Sequence, residues 1–295
     1  MGLPLPLVEL LLSERRYRKF DGEALLIGRQ TTYLTERTFN HLVTRDNIIL
    51  PANFTIELDT DTDAGKKLHC ISDRCLMEAL GFESTKFLDV TDYEGADIVH
   101  DLGTPVDQSL YEQFDFIYNG SCLDNMFNPG TALINMSKML KRGGRILHIE
   151  HATPFNGPYL IYSPGWFFDY YVTNGFADVK VHLALFTTAN DLAFGPWYLH
   201  YYNWPAENSG VLPKGPGPDV HMILIVLAEK KDDSTCERQP VQNQYRQTAE
   251  LRQAFNSKID TVLTSPRPIF SIGQLSKGCK DPWVALGTIG DGLPI

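Results

Sequence analysis

Five short apolar runs stand between polar or helix-patterned stretches in the first half of the chain: residues 24–27, 86–90, 96–100, 114–118 and 145–149. The first, fourth and fifth are nearly unbroken in apolar residues, the pattern of strands buried on both faces of a parallel sheet. Residues 131–140 place Leu133, Met136, Met139 and Leu140 on one helical face, after Asn128-Pro129 and before Gly143-Gly144. Residues 72–80 carry Cys75, Leu76, Ala79 and Leu80 at helical spacing and stop at Gly81. Pro near a start and Gly just past an end are helix boundary signals. Strands alternating with helices predict βαβ units. Residues 177–186 and 221–228 read as two further strands, an antiparallel pair that would close the sheet. The expected fold is α/β: a doubly wound, mostly parallel, seven-stranded Rossmann-like sheet with an antiparallel last strand.

The same pattern divides the chain. Residues 1–23 read as an N-terminal helical segment. Their apolar stretch is interrupted by Pro4, Pro6 and Glu9 and has neither a basic flank nor a small-residue cleavage site. It predicts a helix packed on the body rather than a signal peptide. Residues 24–230 form the α/β domain, with an aromatic insertion over 187–220 that holds Phe194, Trp197, Tyr198, Tyr201, Tyr202 and Trp204, then Pro213, Pro216 and Pro218. A connection of that length is expected to be a lid or an interaction element, covering the substrate pocket or a subunit partner. Residues 231–295 read as a C-terminal extension wrapping the body, helical over 242–256.

Composition narrows the function classes. A formal net charge of -10 and the lack of a Lys/Arg cluster argue against nucleic acid as a partner. The densest basic stretch, residues 15–19, reads as a solvated helix face. No run is long enough to span a membrane. Five scattered cysteines without a CxxC pair fit reduced thiols in a cytoplasmic protein. The expected partner is a small-molecule substrate, and a homo-oligomer is compatible with the sequence.

Candidate chemistry gathers at the ends of the expected strands. The first strand runs into Gly28, followed by Arg29 and Gln30; the second ends at Asp89-Val90; Asp101-Leu102 follows the third; Asn119-Gly120 ends the fourth. In open α/β sheets ligands bind outside these carboxyl ends. Glycine admits close backbone approach. A carboxylate after the second strand can accept both hydroxyls of a ribose, and one after the third can accept from an adenine amino group.

The run "ADIVHDLGTP…FDFIYNGSCLDNMFNPGTALINMSKMLKRGGRILHIE" resembles class I S-adenosylmethionine-dependent methyltransferases, over about residues 24–186. The resemblance is to a small-molecule and sugar methyltransferase subgroup with a degenerate first glycine loop, here "GRQ", and no helix between the second and third strands. It implies S-adenosylmethionine as cofactor, bound by Gly28, Arg29, Gln30, Asp89, Val90, Asp101, Leu102, Asn119 and Gly120. It implies methyl transfer to a hydroxyl or amine of a small metabolite or sugar. Two departures stand out: Leu26-Ile27 replace the usual acidic residue of the first strand, and Asp124-Asn125 replace a common Glu-His.

Methyl transfer needs in-line alignment and, for a hydroxyl acceptor, a proton acceptor. His151, just past the fifth strand, is the first candidate for the base, with Asp124 as its competitor. His148, inside the strand, reads as a core residue. His148, Glu150 and His151 alternate faces and do not converge on a metal. Tyr159 and Tyr162 are expected substrate contacts, whereas residues 166–171 read as a helix on the sheet. A scaffold with a decayed cofactor site is the alternative. A nucleotide-sugar or NAD enzyme is disfavoured by the missing GxGxxG turn.

Overall fold

The computed structural model describes residues 2–204, 213, 215, 217, 219–268 and 282–293. Cys279, Pro216, Pro218 and parts of the 187–220 insertion and the 231–295 extension therefore lie outside the described residues. In chain order the strands are β1 (Glu23–Ile27), β2 (Ser84–Asp89), β3 (Ile98–Val99), β4 (Phe114–Gly120), β5 (Leu140–His151), β6 (Asp178–Phe186), β7 (Trp197–Tyr202), β8 (His221–Glu229) and β9 (Trp283–Ile289). The helices are α1 (Leu5–Tyr17), α2 (Glu36–Arg45), α3 (Asp63–Leu68), α4 (Asp73–Leu80), α5 (Pro129–Met139), α6 (Pro164–Thr173), α7 (Ala189–Phe194) and α8 (Ala249–Leu263). Among the described residues no helix is long and apolar enough to cross a membrane.

All nine strands join one sheet, in the order β3-β2-β1-β4-β5-β8-β6-β7-β9. The first five strands pair in parallel, and β8 runs antiparallel between β5 and β6. The expected count of seven is too low. The missing strands are β7, which lies inside the aromatic insertion, and β9, which comes from the C-terminal extension; both extend the antiparallel edge. In its described part the insertion is thus the short helix α7 followed by a sheet strand. Trp197 and Tyr201 are buried, and Trp204 stacks on Phe168 at 5.5 Å.

Successive residues of β1 explain the continuous apolar runs. Leu26 packs into the core shared with α1, α2 and α4, while Leu25 and Ile27 pack into the core shared with α5, α6 and α8. Helix α4 is capped by Ser72, whose Oγ accepts from Cys75 N, and stops at Gly81 as expected. Helix α1 is buried on most sides. Its basic end is more than a solvated face: Arg16 pairs with Asp46 and Arg18 with Glu229. The link from β2 to β3 contains no helix.

This topology places the functional crevice. The chain runs from β1 outward to β2 and β3, then returns to lay β4 on the other side of β1. Connections from the ends of β1 and β4 therefore diverge, and a gap opens between them at the carboxyl edge.

Candidate functional site

A cleft of about 640 Å³ opens at that edge. Every residue expected to bind cofactor lines it except Asn119: Gly28, Arg29 and Gln30 after β1, Asp89 and Val90 after β2, Asp101 and Leu102 after β3, and Gly120 at the end of β4. Gly28 adopts φ +72°, and a Cβ there would stand 3.4 Å from Asp89 Oδ2. The glycine thus serves both the turn and the approach to that carboxylate. Asp89 Oδ1 accepts from Val90 N at 2.6 Å, which fixes the side chain and leaves Oδ2 on the Gly28 side. Asp101 Oδ1 accepts from Gly103 N at 2.8 Å.

Arg29 is present in the lining, but its charge is spent. Its guanidinium forks onto Asp73 at 3.0 and 2.7 Å, meets Asp61 at 2.5 Å and lies 4.3 Å from the centre of the Phe87 ring. Burial works against the charge, yet the two carboxylates win and hold the guanidinium above its ordinary range. The backbone of this turn is equally fixed. Gln30 N donates to Asp73 Oδ2 at 2.8 Å, and Thr31 O accepts from Leu3 N at 2.7 Å.

Sequence reasoning missed Glu94, Ser121 and Phe127. Burial and the neighbouring Asp89 raise the Glu94 carboxyl. Ser121 follows Gly120 with φ +67°, a left-handed backbone at a non-glycine residue. Its place directly after a strand end was a usable signal. Phe127 is 97% exposed, and its ring meets that of Tyr159, 73% exposed, at 6.3 Å. Tyr159 thereby reaches the mouth of the cleft through Phe127. Tyr162 does not: it is buried, and its hydroxyl donates to Leu123 O at 2.8 Å. Cys122 also lines the cleft, but burial and Glu150 push its thiol up to about 12, so it stays protonated.

Behind the wall lies a buried polar network. Asn119 Nδ2 donates to His148 Nδ1 at 2.9 Å and to Glu150 Oε1 at 2.5 Å, and Asn119 Oδ1 accepts from Cys122 N at 3.1 Å. Asn119 is thus a brace under the cleft, not part of its lining. His148 Nε2 then donates to Tyr171 Oη at 2.6 Å, so both ring nitrogens are paired, as expected of a core histidine. Burial lowers His148 to about 3 and keeps it neutral. Burial and Asp124 push Glu150 up, while three N–H donors oppose them.

The structure brings the two candidates for the base together. His151 Nδ1 contacts Asp124 Oδ2, both groups being buried. The same oxygen accepts from Ser121 Oγ at 2.6 Å, and Asp124 Oδ1 accepts from Asn125 Nδ2 at 2.7 Å. Asp124 therefore fixes the ring tautomer, with Nδ1–H toward the carboxylate and the lone pair on Nε2. Nε2 has no hydrogen-bond partner among the described residues. Neither His151 nor Asp124 lines the cleft; Ser121 stands between, its Oγ 3.2 Å from His151 Nδ1. The centre of the His151 ring lies 6.5 Å from that of Phe155. Nothing in the described part of the 187–220 insertion lines the cleft, because β7 lies toward the far edge of the sheet.

No protein-family model and no curated protein matches the sequence. Among solved structures, the chain is similar to an S-adenosylmethionine-dependent methyltransferase of Thermotoga maritima, described as a possible histamine N-methyltransferase, at 16% identity over 77% of this chain and 89% of that one, with a TM-score of 0.33. It is also similar to phosphoethanolamine N-methyltransferase 2 of Haemonchus contortus, at 10% identity over 76% of this chain and 52% of that one, with a TM-score of 0.37. A third is a protein of Rhodobacter sphaeroides assigned as a zinc-dependent alcohol dehydrogenase, at 9% identity over 52% and 49% of the two chains, with a TM-score of 0.31. Likenesses this distant fix neither activity nor substrate.

Proposed function

We propose that the protein transfers a methyl group from S-adenosylmethionine to a small-molecule acceptor. The observation that carries this reading is the charge of the cleft. Asp89, Glu94 and Asp101 line it, and its one arginine, Arg29, is neutralised by Asp61 and Asp73. A dinucleotide brings an anionic pyrophosphate, which calls for a free cation or a helix N-terminus. Here β1 runs into an extended segment, and α2 begins only at Glu36. S-Adenosylmethionine sets a sulfonium and an ammonium against one carboxylate, so it is net cationic and suits an acidic cleft better than a pyrophosphate does.

The residues present fit such a ligand. Asp89 Oδ2 would accept the ribose hydroxyls, and Asp101 would accept from the adenine amino group, with Val90 and Met126 as apolar walls. When bound, the sulfonium supplies an activated methyl group. The chain's own tasks are to hold the acceptor in line, exclude water and take up its proton. His151 Nε2 carries the lone pair for that last task, and Asp124 positions the ring. Nε2 is buried and outside the cleft lining, so a local opening must precede its contact with an acceptor. The exposed Phe127 and Tyr159 rings offer an apolar surface at the entrance.

Isothermal calorimetry with S-adenosylmethionine, S-adenosylhomocysteine and NAD⁺ tests the reading. The two adenosyl ligands are expected to bind one per chain, and NAD⁺ is not. Binding of NAD⁺ in preference to both, or binding of none, would overturn it; the latter would favour the scaffold alternative.

A further inference from the structure

A second cavity, of about 420 Å³, lies apart from the cleft and shares no lining residue with it. Helices α5 and α6 form two of its walls, and Gln239, Pro240 and Gln242 of the C-terminal extension form the third. That third wall is fastened on both sides. Ahead of it, Asn174 Nδ2 donates to Arg238 O at 3.0 Å and Tyr170 Oη donates to Cys236 O at 2.7 Å. Beyond it, Arg246 Nη2 pairs with Asp169 Oδ2 at 2.7 Å. The cavity is held open by these ties, at a volume within the range of small-molecule sites.

Two observations point to an occupant. The first is Asp169, which lines the cavity with its side chain only 9% exposed. Arg246 takes Oδ2 alone, and Oδ1 accepts from nothing among the described residues. Arg246 is engaged elsewhere: its Nη1 donates to Asn243 Oδ1 at 3.4 Å, and its guanidinium lies 3.5 Å from the centre of the Phe255 ring. A buried acceptor calls for a donor. The second is space. Both helices open on Pro-Gly, and Gly130 and Gly165 both line the cavity. A Cβ at Gly130 would meet nothing within 4 Å, and one at Gly165 would meet only Ser163 Oγ, at 4.0 Å; neither backbone is left-handed. Neither packing nor backbone therefore demands glycine, a poor helix former, at these two places. Their missing side chains leave the cavity clear.

The rest of the lining sets the class of ligand. Trp166, Tyr170, Leu133 and Ile134 supply aromatic and apolar walls. Among the described residues no lysine, arginine or histidine lines the cavity, and Asp169 is its one charged group. An anion finds no counter-charge there. An ammonium finds a carboxylate oxygen without a donor, beside two aromatic rings. We propose that this cavity is a second ligand site, which takes an aryl-alkyl amine with its ring among the apolar walls and its ammonium donating to Asp169 Oδ1. The inference is independent of the methyl-transfer reading, since it uses no residue of the cleft.

The probe is 2-phenylethylamine, titrated by calorimetry into the full chain with S-adenosylhomocysteine present. The comparison ligands are 3-phenylpropanoate and 2-phenylethanol, which put a carboxylate or a hydroxyl in place of the ammonium. One amine is expected to bind per chain, about tenfold more tightly than either comparison ligand. Gly130→Leu and Gly165→Leu fill the cavity and remove no contact, so each should weaken amine binding by about tenfold and leave the melting temperature unchanged or raised. Asp169→Asn should bring the amine and the alcohol to within about threefold of each other. Melting curves without ligand report whether that variant folds, and the glycine variants decide the matter if it does not. No binding of the amine overturns the proposal, as does a preference under about threefold over either comparison ligand. Amine binding that survives both glycine variants lies elsewhere and also overturns it. If S-adenosylhomocysteine does not bind but the amine does, and the glycine variants abolish it, the methyl-transfer reading falls and this site stands.

Discussion

Arg267 gives the sharpest test of how the C-terminal extension is attached. It lies beyond α8, is nearly inaccessible, and meets three carboxylates from three elements. Its Nη1 contacts Glu14 of α1, its Nε lies 2.6 Å from Asp178 of β6, and its Nη2 lies 2.5 Å from Glu229 of β8. Burial opposes the charge, and the three acids hold it above its ordinary range nonetheless. Removing one partner of a buried ion pair costs about 3–5 kcal/mol. Each acid here keeps a second cation: Arg145 on Glu14 at 2.7 Å, Lys180 on Asp178, and Arg18 on Glu229 at 2.9 Å. The lower end therefore applies, about 3 kcal/mol, or a fall of roughly 6–12 °C in melting temperature for a chain of this size. Arg267→Met should show that loss by calorimetric melting, and hydrogen exchange should rise over residues 231–268. Arg267→Lys should recover only part, since a single ammonium nitrogen does not span the three positions from which Nε, Nη1 and Nη2 reach separate acids. Added salt should change the wild type little, because the cluster is buried. A shift under about 2 °C in Arg267→Met, or unchanged exchange in the extension, would refute the attachment.

Three further outcomes follow from the site. Asp89→Ala should weaken S-adenosylhomocysteine binding by about 1–3 kcal/mol, the scale of a lost charge-assisted hydrogen bond; calorimetry showing unchanged affinity would remove Asp89 from the ligand. With an acceptor in hand, His151→Ala should lower turnover by roughly 10²–10⁴-fold and leave cofactor affinity unchanged, and wild-type turnover would exclude it as the base. His148 makes stability depend on pH: buried, it titrates near 3, whereas the unfolded chain takes up that proton at about 6.5. Its stabilisation is therefore complete above that value and is lost as pH falls toward 3, the loss reaching about 2 kcal/mol at pH 5. The drop in urea midpoint between pH 7 and pH 5 should shrink in His148→Gln, and an equal drop in both proteins would show that His148 is not the source.

The parts of the fold legible in the sequence are those whose local pattern has one physical meaning. An apolar run such as that of β1 fits a strand buried on both faces, and Ser72 and Gly81 bracket α4 as cap and stop. The parts that were missed had two meanings. Residues 187–220 read as a lid or an interaction element because the connection is long; the pairing of Trp197–Tyr202 with β6 and β9 makes that part a sheet strand. Strand β9 stands in a Gly-rich stretch whose alternation is local and weak. Within the site, convergence of strand ends placed most lining residues. A shift of one residue separated Gly120, in the cleft, from Asn119, beneath it, since neighbours on a strand face opposite ways. Arg29 could not be judged from its neighbours in sequence, because the acids that neutralise it lie 32 and 44 residues away.

The departures from the expected pattern bear on whether the site has decayed. A decayed site should shed costly features, since nothing then holds them. Here costly features remain, and they cluster around Gly120. On one side stands Gln30 Oε1, buried without a donor among the described residues; on the other, Ser121 keeps a left-handed backbone. Strain of that kind costs on the order of 1–3 kcal/mol and persists where the surroundings over-determine it. At Ser121 it delivers the hydroxyl to Asp124, the carboxylate that fixes the His151 ring. The Asp124-Asn125 pair that replaces Glu-His is likewise employed: Asn125 Nδ2 donates to both Ser121 O, at 2.9 Å, and Asp124. A histidine absent after β4 is thus matched by one at the end of β5, drawn in by an acid from the β4 side. On the proposed reading the base has moved by one strand, and the substituted residues after β4 became its mount. On the methyl-transfer reading, the paired Asp124 and His151 are what a working site needs and a bare scaffold does not.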